Sequence, residues 1–219
     1  MEIFRVIYQA DLIRGYYDTY CLQGDAAPLS VDDYVHVIKE YSSVPFELFE
    51  LDAGQKHWKA KQIKGGIARY RDRAEIYVAA HLPDNPSAGI TLCEKRFITL
   101  KELSHLLIDD EDSYLDSVTE WVNHIIYGDS PFNGAVESGQ SETMACLFAM
   151  ELLFPWQYRE SLRKKINDPN DPCTSLEVAR KFKVPLTQLV FVLTDTIHNQ
   201  LTKQHKWLDE INATYSQPI

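Results

Sequence analysis

The chain reads as an α+β protein, mostly helical with a small antiparallel sheet. Two patterns predict this class. Apolar residues recur at helical spacing over most of the length, and one stretch between residues 46 and 80 carries strand-like alternation instead. At 219 residues and 45% hydrophobic composition the chain is sized for one domain that buries its own core without a disulfide or structural metal.

Taken in order, residues 3–22 form the first expected helix, with Ile3, Ile7, Leu12, Tyr16 and Tyr20 on one face. Ser30 is a good N-cap with Asp33 three residues on, so a second helix follows to about Ser43, where Val44-Pro45 stops it. FELFEL (46–51), GIARY (66–70) and AEIYVAA (74–80) are β-branched or aromatic and alternate, which predicts short antiparallel strands with a turn at 70–73. Helical spacing returns from about Ser87 to Ile108 through Leu92, Phe97, Leu100, Leu103 and Leu107.

Residues 109–137 read as an insertion containing one helix, LDSVTEWVNHIIY, and a polar loop. A long helix then runs from about Gln140 to Phe154, halted by Pro155. Helices over 156–166, 174–182 (capped by Thr174 or Ser175) and 186–200 follow, and 201–219 reads as a short helix and a polar tail.

Charge limits the partners. Twenty-two basic against 32 acidic residues give a net charge of −10, so direct nucleic-acid binding is not expected of the surface as a whole. The four cysteines, Cys21, Cys93, Cys146 and Cys173, form no CxxC pair, and neither a secretory leader nor an apolar run of membrane length is present, which predicts a cytoplasmic protein. Residues 174–193 have a helix-turn-helix outline with Arg180, Lys181 and Lys183 clustered, but PLTQLVFVL is too apolar to face DNA and reads as core.

The segment with chemical content is TLKELSHLLI, residues 99–108. On a helix the two histidines of His-Glu-x-x-His share one face and hold zinc, while the intervening glutamate serves as general base. Here Glu102 and His105 stand in that pattern and Lys101 stands at the first ligand position. Glu142, about 37 residues after His105, opens the next long helix and can supply the third ligand that a catalytic zinc ion needs.

Together these segments resemble the ImmA/IrrE-like metallopeptidases. KRFITLKELSHLLID is similar to that family's active helix. ETMACLFAMELLFP is similar to its ligand-bearing second helix, at Glu142, Ala145, Phe148, Ala149, Leu152, Leu153 and Pro155. GGIARYRDRAEIYVAA resembles the strand pair before the active helix, and LEVARKFKVPLTQLVFVL the closing segment, helical and helix-turn-helix-like over 174–200. The resemblance covers roughly residues 30–200, leaving 1–29 as an N-terminal helix and 201–219 as a tail. It implies a zincin-like, gluzincin-type domain that cleaves helix-turn-helix repressors of phages, mobile elements or stress responses. By position it implies Glu102 as general base, with His105 and Glu142 as zinc ligands.

Two departures change the expectation. Ser104 replaces the family's glycine, and Lys101 replaces its first histidine. Deprotonating a lysine at pH 7 costs about 4.6 kcal/mol before any metal bond forms. The expected outcome is therefore an ammonium in the space of the metal, paired with Glu142, with zinc absent or weakly bound. Were zinc kept through a substitute ligand, His81 or His124, the chain would be an endopeptidase. Without it, the scaffold is a pseudoenzyme that binds a protein or peptide partner. The alternatives are a DNA-associated regulator using 174–200 and a structural subunit of a phage or mobile-element complex. Cys146, one turn beyond Glu142, reads as a small core residue, as His36, His57, His198 and His205 read as structural and Trp58, Trp121, Trp156 and Trp207 as core or interface.

Overall fold

The computed structural model describes residues 3–20, 29–51, 64–82, 89–108, 135–166 and 174–215. Among these, eight helices accompany three strands, an α+β arrangement dominated by helix: α1 (Ile3–Tyr20), α2 (Val31–Tyr41), β1 (Phe46–Leu51), β2 (Gly65–Arg69), β3 (Ala74–Ala79), α3 (Leu92–Ile108), α4 (Ala135–Leu153), α5 (Trp156–Ile166), α6 (Ser175–Phe182), α7 (Leu186–Leu193) and α8 (Asp195–Tyr215). None of the described helices is long and apolar enough to cross a membrane.

Local chemistry sets the helix ends. The Ser30 hydroxyl accepts from the Asp33 amide at 3.2 Å and starts α2, which stops at Tyr41, two residues before the expected end. Helix α3 begins at Leu92 rather than near Ser87. The Glu94 carboxylate accepts from the Thr91 amide at 2.9 Å, and the Glu94 amide donates to the Thr91 hydroxyl at 3.2 Å, a capping box that fixes the start. Helix α4 starts at Ala135, so the last residues of the expected insertion are helical, whereas 109–134 lie outside the described residues.

A second capping box, Thr174 with Glu177, opens α6. Thr174→Ala should lower folding stability by about 1 kcal/mol in urea denaturation, since it removes the acceptor for the Glu177 amide. The expected single helix over 186–200 breaks at Thr194, whose extended backbone (ψ 146°) and hydroxyl bond to Phe191 O (2.8 Å) end α7. From Asp195 one helix of 21 residues runs to Tyr215, so residues 201–215 are not a tail.

The sheet is mixed, which corrects the antiparallel expectation. Its order is β1-β3-β2: β2 and β3 pair antiparallel across the Tyr70–Arg73 turn, and β1 pairs parallel with the other edge of β3, Phe46 opposite Ala74 through Leu51 opposite Ala79. Alternation has the same period in either direction, so it marks strands without orienting them. Ala74, Ile76 and Val78 turn inward, and α3 packs against β2 and β3.

Helix α3 lies at the centre, between the sheet and α4 and alongside α2. Leu100, Leu103 and Ile108 are fully buried, as are Ala145, Phe148, Ala149 and Leu152 of α4. Ala145 and Ala149 keep the α4 surface low where α3 meets it, and the Ser104 hydroxyl donates to Lys101 O at 2.5 Å from within that buried seam. This close packing brings residues from the two helices into one cluster.

Candidate functional site

Four side chains anticipated from the sequence converge where α3 meets the start of α4. The Lys101 ammonium donates to Glu102 Oε1 at 2.9 Å and to Glu142 Oε2 at 2.7 Å. His105 Nε2 lies 3.4 Å from the second oxygen of Glu142, and its other ring nitrogen is 3.3 Å from the Ser141 hydroxyl. Lys101 and His105, four residues apart on α3, share the face turned toward Glu142 of α4, while Glu102 lies on the side of the helix next to Gly65 of β2 and is reached by the Lys101 ammonium.

Burial is uneven across the cluster. Glu102 and His105 are buried, at 4% and 5% exposure, while the Glu142 side chain is 55% exposed and forms the solvent side. An ionised glutamate as deep as Glu102 needs a cation or several donors against its lost hydration, and Lys101 supplies the cation.

The titration behaviour follows this geometry. Burial alone would lower the lysine, but the Glu102 and Glu142 carboxylates more than offset it, so Lys101 titrates above the ordinary lysine range and is protonated at neutral pH. Burial likewise works against the Glu142 charge, yet the bond from His105 and the Lys101 ammonium bring that carboxyl down to about 2. Beside it, burial pushes the Cys146 thiol up, so this half-buried cysteine is a protonated packing group rather than a thiolate ligand.

Three further residues complete the site without having been singled out by sequence. A methyl group on Gly65 would come within 2.4 Å of Ile98 Cγ2 and 3.0 Å of the Glu102 carboxylate, so only glycine lets β2 lie this close to α3. The Arg69 guanidinium donates to the His105 carbonyl and ties β2 to the helix. Ser141 positions the His105 ring from α4. Only the Gly65-Gly66 pair at the head of a strand carries a readable signal, that of a close backbone approach. Gly65→Ala should cost roughly 1–3 kcal/mol in denaturant midpoint measurements, because buried Ile98 must leave its rotamer and Glu102 must shift.

Of the two substitute ligands considered, His81 precedes α3, and its Nδ1 lies 2.8 Å from Ile90 O. His124, the acidic run 109–112, His57, Trp58 and Trp121 lie outside the described residues. His198 is buried and stacks on Trp156 at 5.0 Å, and His205 stacks on the same ring at 4.8 Å, both in structural roles. Helix α7 buries Leu189 and Val192 and exposes Leu186 and Val190, an apolar face unlike a DNA-reading helix.

The donor set departs from what the zinc ion implied by the resemblance would need. His105 and Glu142 are adjacent, as two ligands must be, but the third position holds a nitrogen without a lone pair. That ammonium occupies the space between the two carboxylates, where a dication would meet it as a like charge. Among the described residues no group of three or more His, Cys, Asp or Glu side chains could hold a metal ion. The residues present do not fit an ordinary catalytic zinc centre.

Comparison with known proteins adds no relative: no family model, curated protein or solved structure matches this chain.

Proposed function

We propose that this chain is a peptidase-like scaffold of ImmA/IrrE type in which a lysine ammonium replaces the metal, and that it recognises a helix-turn-helix repressor-type protein without cutting it. The reading is of a cytoplasmic regulator belonging to a phage or mobile element. The observation that carries it is the Lys101 ammonium, held 2.9 Å from Glu102 and 2.7 Å from Glu142. The order of parts supports it as well. A strand pair precedes a helix bearing Glu-x-x-His, and that helix packs on a second one whose first turns bring in a glutamate.

Charge explains how such a scaffold survives loss of its metal. Two carboxylates beside an imidazole need a cation, and a lysine in place of one ligand brings that cation covalently attached. The bond from Lys101 to Glu142 then ties α4 to α3 without any exogenous ion, while the bond to Glu102 stays within α3. What remains is a solvent-side carboxylate, Glu142, and a buried Glu102 that is committed to its lysine and does not serve as a base.

Metal content tests the reading. The wild-type protein, purified without chelator, supplemented with zinc and desalted, should carry no stoichiometric zinc by inductively coupled plasma mass spectrometry. A candidate repressor co-expressed with it should co-purify at full length. One zinc per chain that disappears in Glu142→Ala, or a repressor recovered as fragments, would overturn the proposal.

A further inference from the structure

A second surface, made from α1 and α2 and sharing no residue with the Lys101 cluster, has the chemistry of a binding site. A cavity of about 560 Å³ opens between these helices, lined by Tyr16, His36, Val37, Glu40 and Tyr41. That volume falls in the range of small-ligand and side-chain pockets, about 300–1,000 Å³. The Tyr16 and Tyr41 rings lie 5.6 Å apart and tilted by 54°, and the Tyr41 hydroxyl donates to Gln9 Oε1 at 3.0 Å, which fixes that ring in place.

The aromatic character extends along α1. Phe4 and Tyr8 stack at 6.0 Å, and Trp207 of α8 meets Phe4 edge-on at 4.1 Å. Tyr8, Tyr16 and Trp207 are 42%, 44% and 45% exposed, so three large amphipathic rings stand on one side of the molecule. Tyrosine and tryptophan contribute most where they form rigid anchors at protein interfaces.

The charge of the cavity selects its occupant. Glu40 is the one carboxylate among the described lining residues, and the whole chain carries −10. The neighbouring lysine does not neutralise it from within, because Lys39 sits over the Phe46 ring at 5.6 Å. Tyrosine faces beside a carboxylate attract a cation by two routes, through the ring quadrupole and through direct pairing.

We infer that the α1–α2 cavity takes up an arginine or lysine side chain presented by a basic segment of a protein partner, with Tyr16 and Tyr41 contacting its stem and cation and Glu40 pairing with its charge. Tyr8 and the Phe4–Trp207 pair extend the same surface for the flanking residues of that segment. The site is independent of how the Lys101 cluster is read, and its test leaves that cluster untouched.

The test titrates the full chain, labelled with ¹³C in its tyrosine rings, with a tetra-arginine peptide at physiological salt. Saturable shifts of the Tyr16 and Tyr41 ring signals are expected. Affinity should fall about tenfold in Glu40→Gln and again in Tyr16→Ala, at unchanged helicity by circular dichroism. Both side chains are exposed, so neither change threatens the fold. A tetra-glutamate peptide should leave the rings unmoved. Unmoved rings with tetra-arginine, or equal affinity in wild type and both variants, would overturn the proposal and mean diffuse attraction to net charge. Equal shifts from an uncharged apolar peptide, or self-association abolished by Tyr16→Ala, would overturn it in favour of an apolar groove or a second copy of this chain.

Discussion

Arg159→Leu should lower folding stability by about 3–5 kcal/mol and leave the chain close to unfolded at 37 °C. Arg159 is fully buried on α5, donating at 2.8 Å to Glu151 of α4 and at 2.8 Å to the Phe154 carbonyl. Glu151 in turn accepts from His205 of α8 at 3.1 Å, and Trp156 stacks on that imidazole, so one carboxylate joins three helices. Removing the guanidinium strands an ionised carboxylate at 4% exposure, with His205 its remaining partner among the described residues. The cost is that of the unpaired charge rather than of the bond itself. The double variant Glu151→Gln with Arg159→Leu should therefore recover much of the loss, because it removes the charge as well. Equal losses in the single and double variants by urea denaturation would mean that packing, not charge, dominates at this position.

The same network sets an acid limit. Burial works against the Glu151 charge, but Arg159 and His205 outweigh it and bring its pKa to about 2 in the folded state. In the unfolded chain the carboxyl returns to its ordinary value of about 4.3. A carboxyl whose folded pKa is depressed contributes stability that is fully present above the unfolded value and lost as pH falls toward the folded one. Glu142, also at about 2, acts in the same direction from a more exposed position, where water screens part of its effect. Thermal midpoints should hold between pH 7 and 5 with respect to these groups and fall steeply from pH 4 to 2. The fall should be shallower in the Glu151→Gln, Arg159→Leu double variant.

The helices were legible where their ends carry local chemistry. Ser30 and Thr174 announce α2 and α6 through side-chain acceptors within three residues, and Pro155 announces the end of α4. Strand direction was not legible, because alternation is blind to it and the parallel pairing of β1 with β3 is a long-range choice. The break at Thr194 was missed for a similar reason. Apolar spacing continues through it, and only the backbone turn separates Leu193 from Asp195. The cluster residues were legible because Glu-x-x-His fixes a helix face and Glu142 lies on the next long helix, which packs against it. The Glu151–Arg159–His205 network left no such signature. Its members sit 8 and 54 positions from Glu151, and nothing in their spacing marks them as partners.

Lys101→His should reverse the response of the protein to zinc. In chelator this variant should be less stable than wild type by roughly 2–4 kcal/mol, since the permanent cation that reaches both Glu102 and Glu142 is gone and a shorter, weakly basic imidazole replaces it. In zinc, the new imidazole, His105 and Glu142 form two nitrogens and one carboxylate, the ligand set of a three-coordinate protein site. At a hundredfold excess over its dissociation constant the ion then adds about 2.7 kcal/mol to the folded state, most of what the substitution removed. Lys101→Met separates the two effects. It loses the same cation and gains no ligand, so its thermal midpoint should fall as far as that of Lys101→His in chelator and stay there when zinc is added. Wild type should keep its midpoint in both buffers, because its ammonium already holds the two carboxylates that a dication would need. A wild-type midpoint that climbs with zinc as far as that of Lys101→His would mean that the lysine yields its place to metal, and the scaffold would then have to be read as a peptidase after all.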